Sequence, residues 1–172
     1  MKTKKITLSA ALLGLGLSLG LPLFAQEPVV GVANPEAPFM DGNGSREERR
    51  NKEAALHIMR ELLQCNQWDR ADEWLTEQYI QHNPNAESGR DGVVYYFTQV
   101  LGRKPTATCG KLTTPIVAVM AQDDLVTVIT PREYDDPRSP GKKYYTTWFD
   151  TWRFVDGKAD EHWDPATIAP PK

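Results

Sequence analysis

The segment WFDTWRFVDGKADEHWD, from Trp148 to Asp164, constrains the fold of this chain more than any other. At its centre lies Asp156-Gly157, a pair typical of a two-residue β-hairpin turn because both positions accept positive φ angles. Side chains alternate along a strand. One face of the first strand therefore carries Trp148, Asp150, Trp152 and Phe154. Because most of this set is large and aromatic, we predict that it faces the interior, with an acid inside an aromatic wall.

The second strand of this hairpin adds further ionisable groups. Alternation places Asp160, His162 and Asp164 on one face, and Glu161 and Trp163 on the other. If His162 faces the interior, Asp164 does so too, although a bulge in the strand would reverse this facing. The hairpin thus predicts two carboxylates and an imidazole close together.

A buried carboxylate without a partner is costly, which leaves two interpretations of Asp150. In the first, it pairs with Arg153, Lys158 or a backbone donor and only supports the fold. In the second, an apolar pocket holds Asp150 and His162 together to move protons. Desolvation raises the pKa of a carboxyl group and brings it nearer to the range of a useful general base.

The rest of the chain predicts an α+β fold. Helical segments are predicted at residues 45–65, 68–75 and 90–102, and the first begins with the capping-box spacing of Ser45 and Glu48. Residues 76–90 contain Asn83-Pro84 and are predicted as a non-helical connection. Strands are predicted at residues 115–122, 124–134, 144–155 and 158–163. Three helices followed by about four antiparallel strands would pack as helices on one face of a curved, cone-shaped sheet that encloses a pocket.

The N-terminus predicts export. Residues 1–25 have a basic start, an apolar run and a small residue, Ala25, as in a cleavable signal peptide; a membrane anchor is the alternative. We expect a periplasmic or secreted protein, an extended lead-in over residues 26–44, and one domain over residues 45–168. In such a compartment Cys65 and Cys109 form either a disulfide or two free thiols.

Charge argues against a nucleic-acid partner. The chain has 20 basic and 23 acidic residues, and removal of the three signal-peptide lysines leaves a net charge of −6. An acidic domain without a basic run lacks the charge that phosphate backbones require. After removal of the signal peptide we expect no membrane partner either.

Two separated motifs resemble the SnoaL-like proteins of the nuclear-transport-factor-2-like superfamily. The first comprises Tyr79, Gln81, His82, Asn83 and Pro84, followed by Gly89 and Arg90. The second comprises Asp150, Arg153, Phe154, Gly157, Lys158 and Glu161 to Asp164. The resemblance covers about residues 46–166, and the connection from Pro131 to Tyr145 is longer than the family pattern.

The resemblance implies a cone of three helices on a curved sheet, and a homodimer through that sheet. It also implies a polyketide cyclase-like enzyme, of lyase or isomerase type, that needs no metal or cofactor and binds a small, partly apolar molecule. Asp164 would match the family's catalytic base, with Asp150, His82 and His162 as polar partners. Trp148, Trp152, Phe154 and Tyr95 are expected in the core or against the ligand. A binding module without turnover and a protein that binds a partner through its outer sheet face remain alternatives.

Overall fold

The computed structural model describes residues 27–168 of the 172-residue chain. The predicted signal peptide lies outside the described residues. The predicted lead-in packs against the domain: a short 3₁₀ turn, Ala37–Phe39, buries Phe39, and the backbone N–H of Val32 donates to the carbonyl of Ile116 at 2.7 Å.

The first helix begins where the sequence predicts. Helix α1, Arg46–His57, opens with the Ser45–Glu48 capping box, in which each side chain accepts a hydrogen bond from the other residue's backbone N–H. It continues through wider, π-helical turns over Ile58–Gln64. Its apolar stripe of Ala55, Met59 and Leu62 is buried.

The other two helices are short. A 3₁₀ turn, Trp68–Arg70, leads into helix α2, Ala71–Trp74. Helix α3, Arg90–Tyr95, continues as π-helical turns over Tyr96–Val100.

One sheet of five strands packs against these helices. The strands are β1, Leu75–Gln81; β2, Ala118–Gln122; β3, Leu125–Asp135; β4, Lys143–Val155; and β5, Lys158–Trp163. Their order is β1-β5-β4-β3-β2, and all neighbours are antiparallel except β1 and β5, which are parallel. The α+β cone is therefore confirmed.

Two details differ from the predicted connections. Strand β1 occupies part of the segment predicted as a non-helical connection, so the sheet is mixed and has five strands. Strands β3 and β4 also extend towards each other, with Tyr134 paired to Tyr144 and Asp135 to Lys143. The predicted long connection thus shrinks to residues 136–142, because most of its residues continue the ladder.

The β4–β5 hairpin forms as predicted. Asp156 and Gly157 both have positive φ, 49° and 80°, as a tight primed turn requires. Trp152 and Phe154 are buried on the inner face of β4, while Phe149 on the opposite face is 43% exposed. A bulge at Asp160 shifts the register, so that Arg153 pairs with Glu161 but Phe154 pairs with Ala159. Ala159 and His162 therefore face inward, and Asp160 bonds instead to Thr76 and Gln78 of β1.

The two cysteines are joined. Cys65, at the end of the first helix, and Cys109 form a disulfide with a Cα–Cα distance of 5.6 Å. The bridge fastens the irregular segment between α3 and β2 to the helical layer. Among residues 27–168, no helix has the length and apolar character needed to cross a bilayer.

Candidate functional site

A cavity of about 680 Å³ lies between the helical layer and the inner face of the sheet. Its apolar wall includes Ile58, Met59, Leu62, Trp68, Leu75 and Val93. Its polar wall comes mainly from β1, β3, β4, β5 and the segments that follow β1 and β5. An apolar cavity with a few convergent polar groups is the usual form of a small-molecule site.

His162 lies at the centre of the polar wall, and its orientation is fixed by Gln81. Nδ1 of the ring lies 2.9 Å from Gln81 Oε1, and the same oxygen accepts the backbone N–H of Asn83 at 2.9 Å. The backbone donor identifies that atom as the amide oxygen, so Nδ1 of His162 carries a hydrogen and donates it. Nε2 is left to face the remaining polar group.

That group is Asp150. Its Oδ1 lies 3.2 Å from His162 Nε2 and accepts the indole N–H of Trp148 at 3.1 Å. Both side chains of the pair are buried, with Asp150 7% and His162 6% exposed. A hydrogen bond between Nε2 and Oδ1 requires one proton between them, held by either partner. The pair is neutral as a whole in either form and is placed to give or share this proton.

Asp164 completes the cluster. Its Oδ2 accepts the side-chain N–H of Asn83 at 2.8 Å, and its Oδ1 accepts the backbone N–H of Ala166 at 2.9 Å. Accepting donors at both oxygens is the bonding pattern of an ionised carboxylate. One ligand atom from each of Asp150, His162 and Asp164 lies within 4.8 Å of the others. The three side chains are thus close enough to share a proton network or to contact one bound ion.

A fourth polar group, the hydroxyl of Tyr79, also lines the cavity. It accepts the indole N–H of Trp152 at 3.1 Å. Burial raises the pKa of Tyr79 above its ordinary value, and the nearby charge of Asp150 acts in the same direction. The hydroxyl therefore stays protonated at neutral pH and can donate towards a ligand.

The structure brings together Asp150, His162, Asp164, Trp148 and Trp152 of the predicted site residues, all of which line the cavity. The other three do not line it.

His82 lies outside the cavity, because Tyr79 and Gln81 of β1 face inward and alternation turns His82 outward. Its Nε2 lies 2.8 Å from Glu161 Oε1, and its ring stacks on Trp163. The expectation that His82 lines the pocket is therefore wrong. Tyr95 is 62% exposed on α3, and Phe154 is buried in the core beyond the cavity wall.

Sequence reasoning missed Tyr79, Gln81 and Asn83 as a group that supports the site. Tyr79 was noted only as part of a motif in a connection. Recognition of β1 as a strand would have placed Tyr79 and Gln81 on one face and His82 on the other. A bulge reverses the facing of strand residues, but no residue pattern places one at Asp160, where the structure has it.

Residues 46–162 match the SnoaL-like domain family. The chain therefore belongs to this family, whose fold the helices and sheet above display. Comparison with curated protein sequences gives no significant match.

Solved structures show the same fold at low sequence identity. A protein from Jannaschia assigned as a SnoaL-like polyketide cyclase is 20% identical, with a TM-score of 0.51 over 75% of this chain and 99% of that chain. A protein from Bacillus cereus assigned as a polyketide cyclase is 17% identical, with a TM-score of 0.50 over 84% of this chain and 88% of that one. An epoxide hydrolase-like structure from M. tuberculosis is 14% identical, with a TM-score of 0.50 over 70% and 81% of the two chains.

Proposed function

We propose that this protein is a cofactor-independent enzyme that transfers a proton at the carbon next to a carbonyl group of a small, partly apolar molecule. The observation that carries the proposal is the cluster of Asp164, His162 and Asp150. It offers a proton acceptor and a proton donor within 4.8 Å at the polar wall of the cavity.

In the proposed reaction, Asp164 removes the proton from the carbon. The electron pair of the broken C–H bond moves into the enolate, and negative charge develops on the carbonyl oxygen. The proton between His162 and Asp150, and the hydroxyl of Tyr79, are the donors that stabilise this charge. Protonated Asp164 then returns its proton, either to a different carbon of an extended enolate, which isomerises the substrate, or to the alkoxide that forms when the enolate attacks a second carbonyl in an aldol closure.

Binding without turnover is the second candidate. Both oxygens of Asp164 already accept hydrogen bonds from the protein. That pattern also suits a carboxylate that holds the segment after β5 in place and only shapes a binding pocket.

Deuterium exchange distinguishes the two candidates. Aryl ketones such as 2-tetralone, 1-indanone and acetophenone would be incubated in D₂O, and loss of the α-proton signal would be followed by NMR. We expect the protein to accelerate exchange of at least one ketone, and Asp164→Asn to lose about 100-fold or more of that rate. Asp160→Asn is the matched control, since it changes a nearby Asp, in β5, that bonds to Thr76 and Gln78 away from the cavity. Exchange at the wild-type rate by folded Asp164→Asn would reject the catalytic assignment.

We also propose export and self-association. The Cys65–Cys109 disulfide supports export, because disulfides persist in oxidising compartments. Exposed apolar side chains on the outer sheet face, including Phe149 and Met120, support a homodimer through that face. N-terminal sequencing of the mature protein tests export. Sedimentation of the wild type, compared with that of Phe149→Lys, tests the homodimer.

A further inference from the structure

The cavity holds a positive charge that the proposed proton transfer does not use. Arg132 lies on the inner face of β3, in line with the buried Val126, Val128 and Thr130, and its side chain lines the cavity. The guanidinium group lies over the ring of Trp148, with its central carbon 5.6 Å from the ring centroid. Trp148 in turn donates to Asp150. Arg132 and the acid–base cluster are therefore separated by one indole.

Arg132 has no acidic partner among the described residues. Within residues 27–168 its one hydrogen bond runs from Nη1 to the carbonyl of its neighbour Pro131, at 3.2 Å. Arg153, by contrast, pairs with both Asp124 and Glu161. A guanidinium group carries five N–H donors in a planar fork that suits a carboxylate, so most of the donors of Arg132 remain available.

Partial burial makes this charge relevant to binding. Arg132 is half-buried, and its guanidinium lies over the face of Trp148 on the adjacent strand β4. A cation there attracts an anion more strongly than a fully solvated one does, because the interaction is less screened. Arg103, an exposed residue that also lines the cavity, adds a second positive charge at the rim.

We infer that the substrate carries a carboxylate group that Arg132 binds, at the opposite end from the carbonyl that meets Asp164 and His162. This inference rests on the proposed function and names its substrate class: a small, apolar keto acid. A single carboxylate fits better than a phosphate, because Arg132 supplies one half-buried positive charge and the anionic Asp164 lies in the same cavity.

The indole of Trp148 lies between the two ends of such a molecule, because it contacts the guanidinium of Arg132 and donates to Asp150. The carboxylate and the reacting carbonyl of the ligand should therefore be separated by a chain that spans at least one indole. The phenyl keto acids from 4-oxo-4-phenylbutanoate to 7-oxo-7-phenylheptanoate provide a series of increasing chain length for the test.

The test compares each acid of this series with its methyl ester by isothermal titration calorimetry. We expect the best acid to bind the wild-type protein at least about 10-fold more tightly than its ester. In Arg132→Gln this preference should fall to less than about 2-fold, while ester affinity stays the same. Arg138→Gln, in the connection between β3 and β4, is the control and should keep the preference. Thermal unfolding of each variant confirms that it is folded.

Two results would overturn the inference: no acid in the series binds more tightly than its own ester, or the preference survives in folded Arg132→Gln. The catalytic proposal is tested separately. Asp164→Asn should keep the preference for the acid while it loses deuterium exchange, so failure of one proposal is distinguishable from failure of the other.

Discussion

Gln81 determines which nitrogen of His162 carries the fixed hydrogen, although the two residues are 81 positions apart in the chain. The amide oxygen accepts from His162 Nδ1 and from the backbone N–H of Asn83, each at 2.9 Å. As a result, Nε2 of His162 is presented to Asp150 and the cavity. Gln81 is thus a positioning residue that acts through the imidazole.

Removal of this acceptor should disorder the acid–base pair. In Gln81→Leu, Nδ1 of His162 loses its partner, and we expect α-proton exchange to slow by about 10-fold, which is less than the loss of an acid–base group itself would cost. Nitrogen NMR of the His162 ring should show the loss of the single Nδ1–H tautomer. Gln78→Leu, on the exposed face of the same strand, is the control and should change neither measurement.

His82 and His162 should respond differently to substitution, because only His162 lies in the cavity. In His82→Ala we expect exchange within about 2-fold of the wild-type rate and a loss of at most about 1 kcal/mol of stability, as for an exposed pair. The hydrogen bond from His82 is the main cause that lowers the pKa of Glu161, so this pKa should rise in the variant. Carbon NMR titration measures it. His162→Gln should lose exchange by about 10-fold or more, and a similar loss in His82→Ala would place His82 in the mechanism.

Glu61 should link stability to acid pH. Burial raises the pKa of this carboxyl group, but hydrogen bonds from His57, Trp74 and Arg60 outweigh that effect and lower the pKa overall. A carboxyl group with a lower pKa in the folded state stabilises the protein above its unfolded pKa of about 4.3. The stabilisation is lost as the pH falls through the folded pKa.

Glu61→Gln should therefore cost about 1–3 kcal/mol at pH 7, with a smaller difference from wild type at pH 3. Melting temperatures across this pH range measure the effect. The exposed Glu53→Gln is the control for a change of one charge on the same helix. If the melting temperatures of Glu61→Gln and wild type differ by the same amount at pH 7 and at pH 3, this assignment is wrong.

Reduction of the disulfide should destabilise the protein. The bridge joins cysteines that are 44 positions apart, and chain entropy gives a contribution of about 4 kcal/mol for a loop of that size. Denaturant unfolding with and without reductant measures this loss, and Cys65→Ser/Cys109→Ser should reproduce it. Hydrogen exchange should increase first at Thr106, whose N–H donates to the carbonyl of Cys65. Equal stability of the oxidised and reduced proteins would show that the segment between α3 and β2 is held by its other contacts and not by the disulfide.

The sequence was most informative where one pattern decides one structural feature. Aromatic alternation around Asp150 predicted the inner face of β4, and Asp156-Gly157 predicted the turn. Strand β1 was missed because its residues 76–78 are polar and two of these three are exposed. Its inward-facing residues Tyr79 and Gln81 come just before Asn83-Pro84, a pair that predicts a loop. The error at His82 follows from that omission.

Local sequence patterns could not predict the contacts between distant segments. The bond from Gln81 to His162 depends on the parallel pairing of β1 with β5, and no short-range signal in the residues reports that pairing. The same holds for the approach of Asn83 to Asp164, and for the position of Arg132 over Trp148. The residue types were visible in the sequence, but their partners were not.

The parallel pairing of β1 with β5 also determines when the site can form during synthesis. β1 is the first of the five strands to be synthesised, whereas its partner strand β5 is the last of them. Until β5 has been synthesised, the imidazole of His162 is not there for Gln81 to orient, and the edge strand β1 has no partner strand. Contacts of such large sequence separation also slow folding, because the connecting chain must close first. The polar cluster is therefore among the last parts of this domain to be assembled, and a nascent chain that lacks β5 has no acid–base pair.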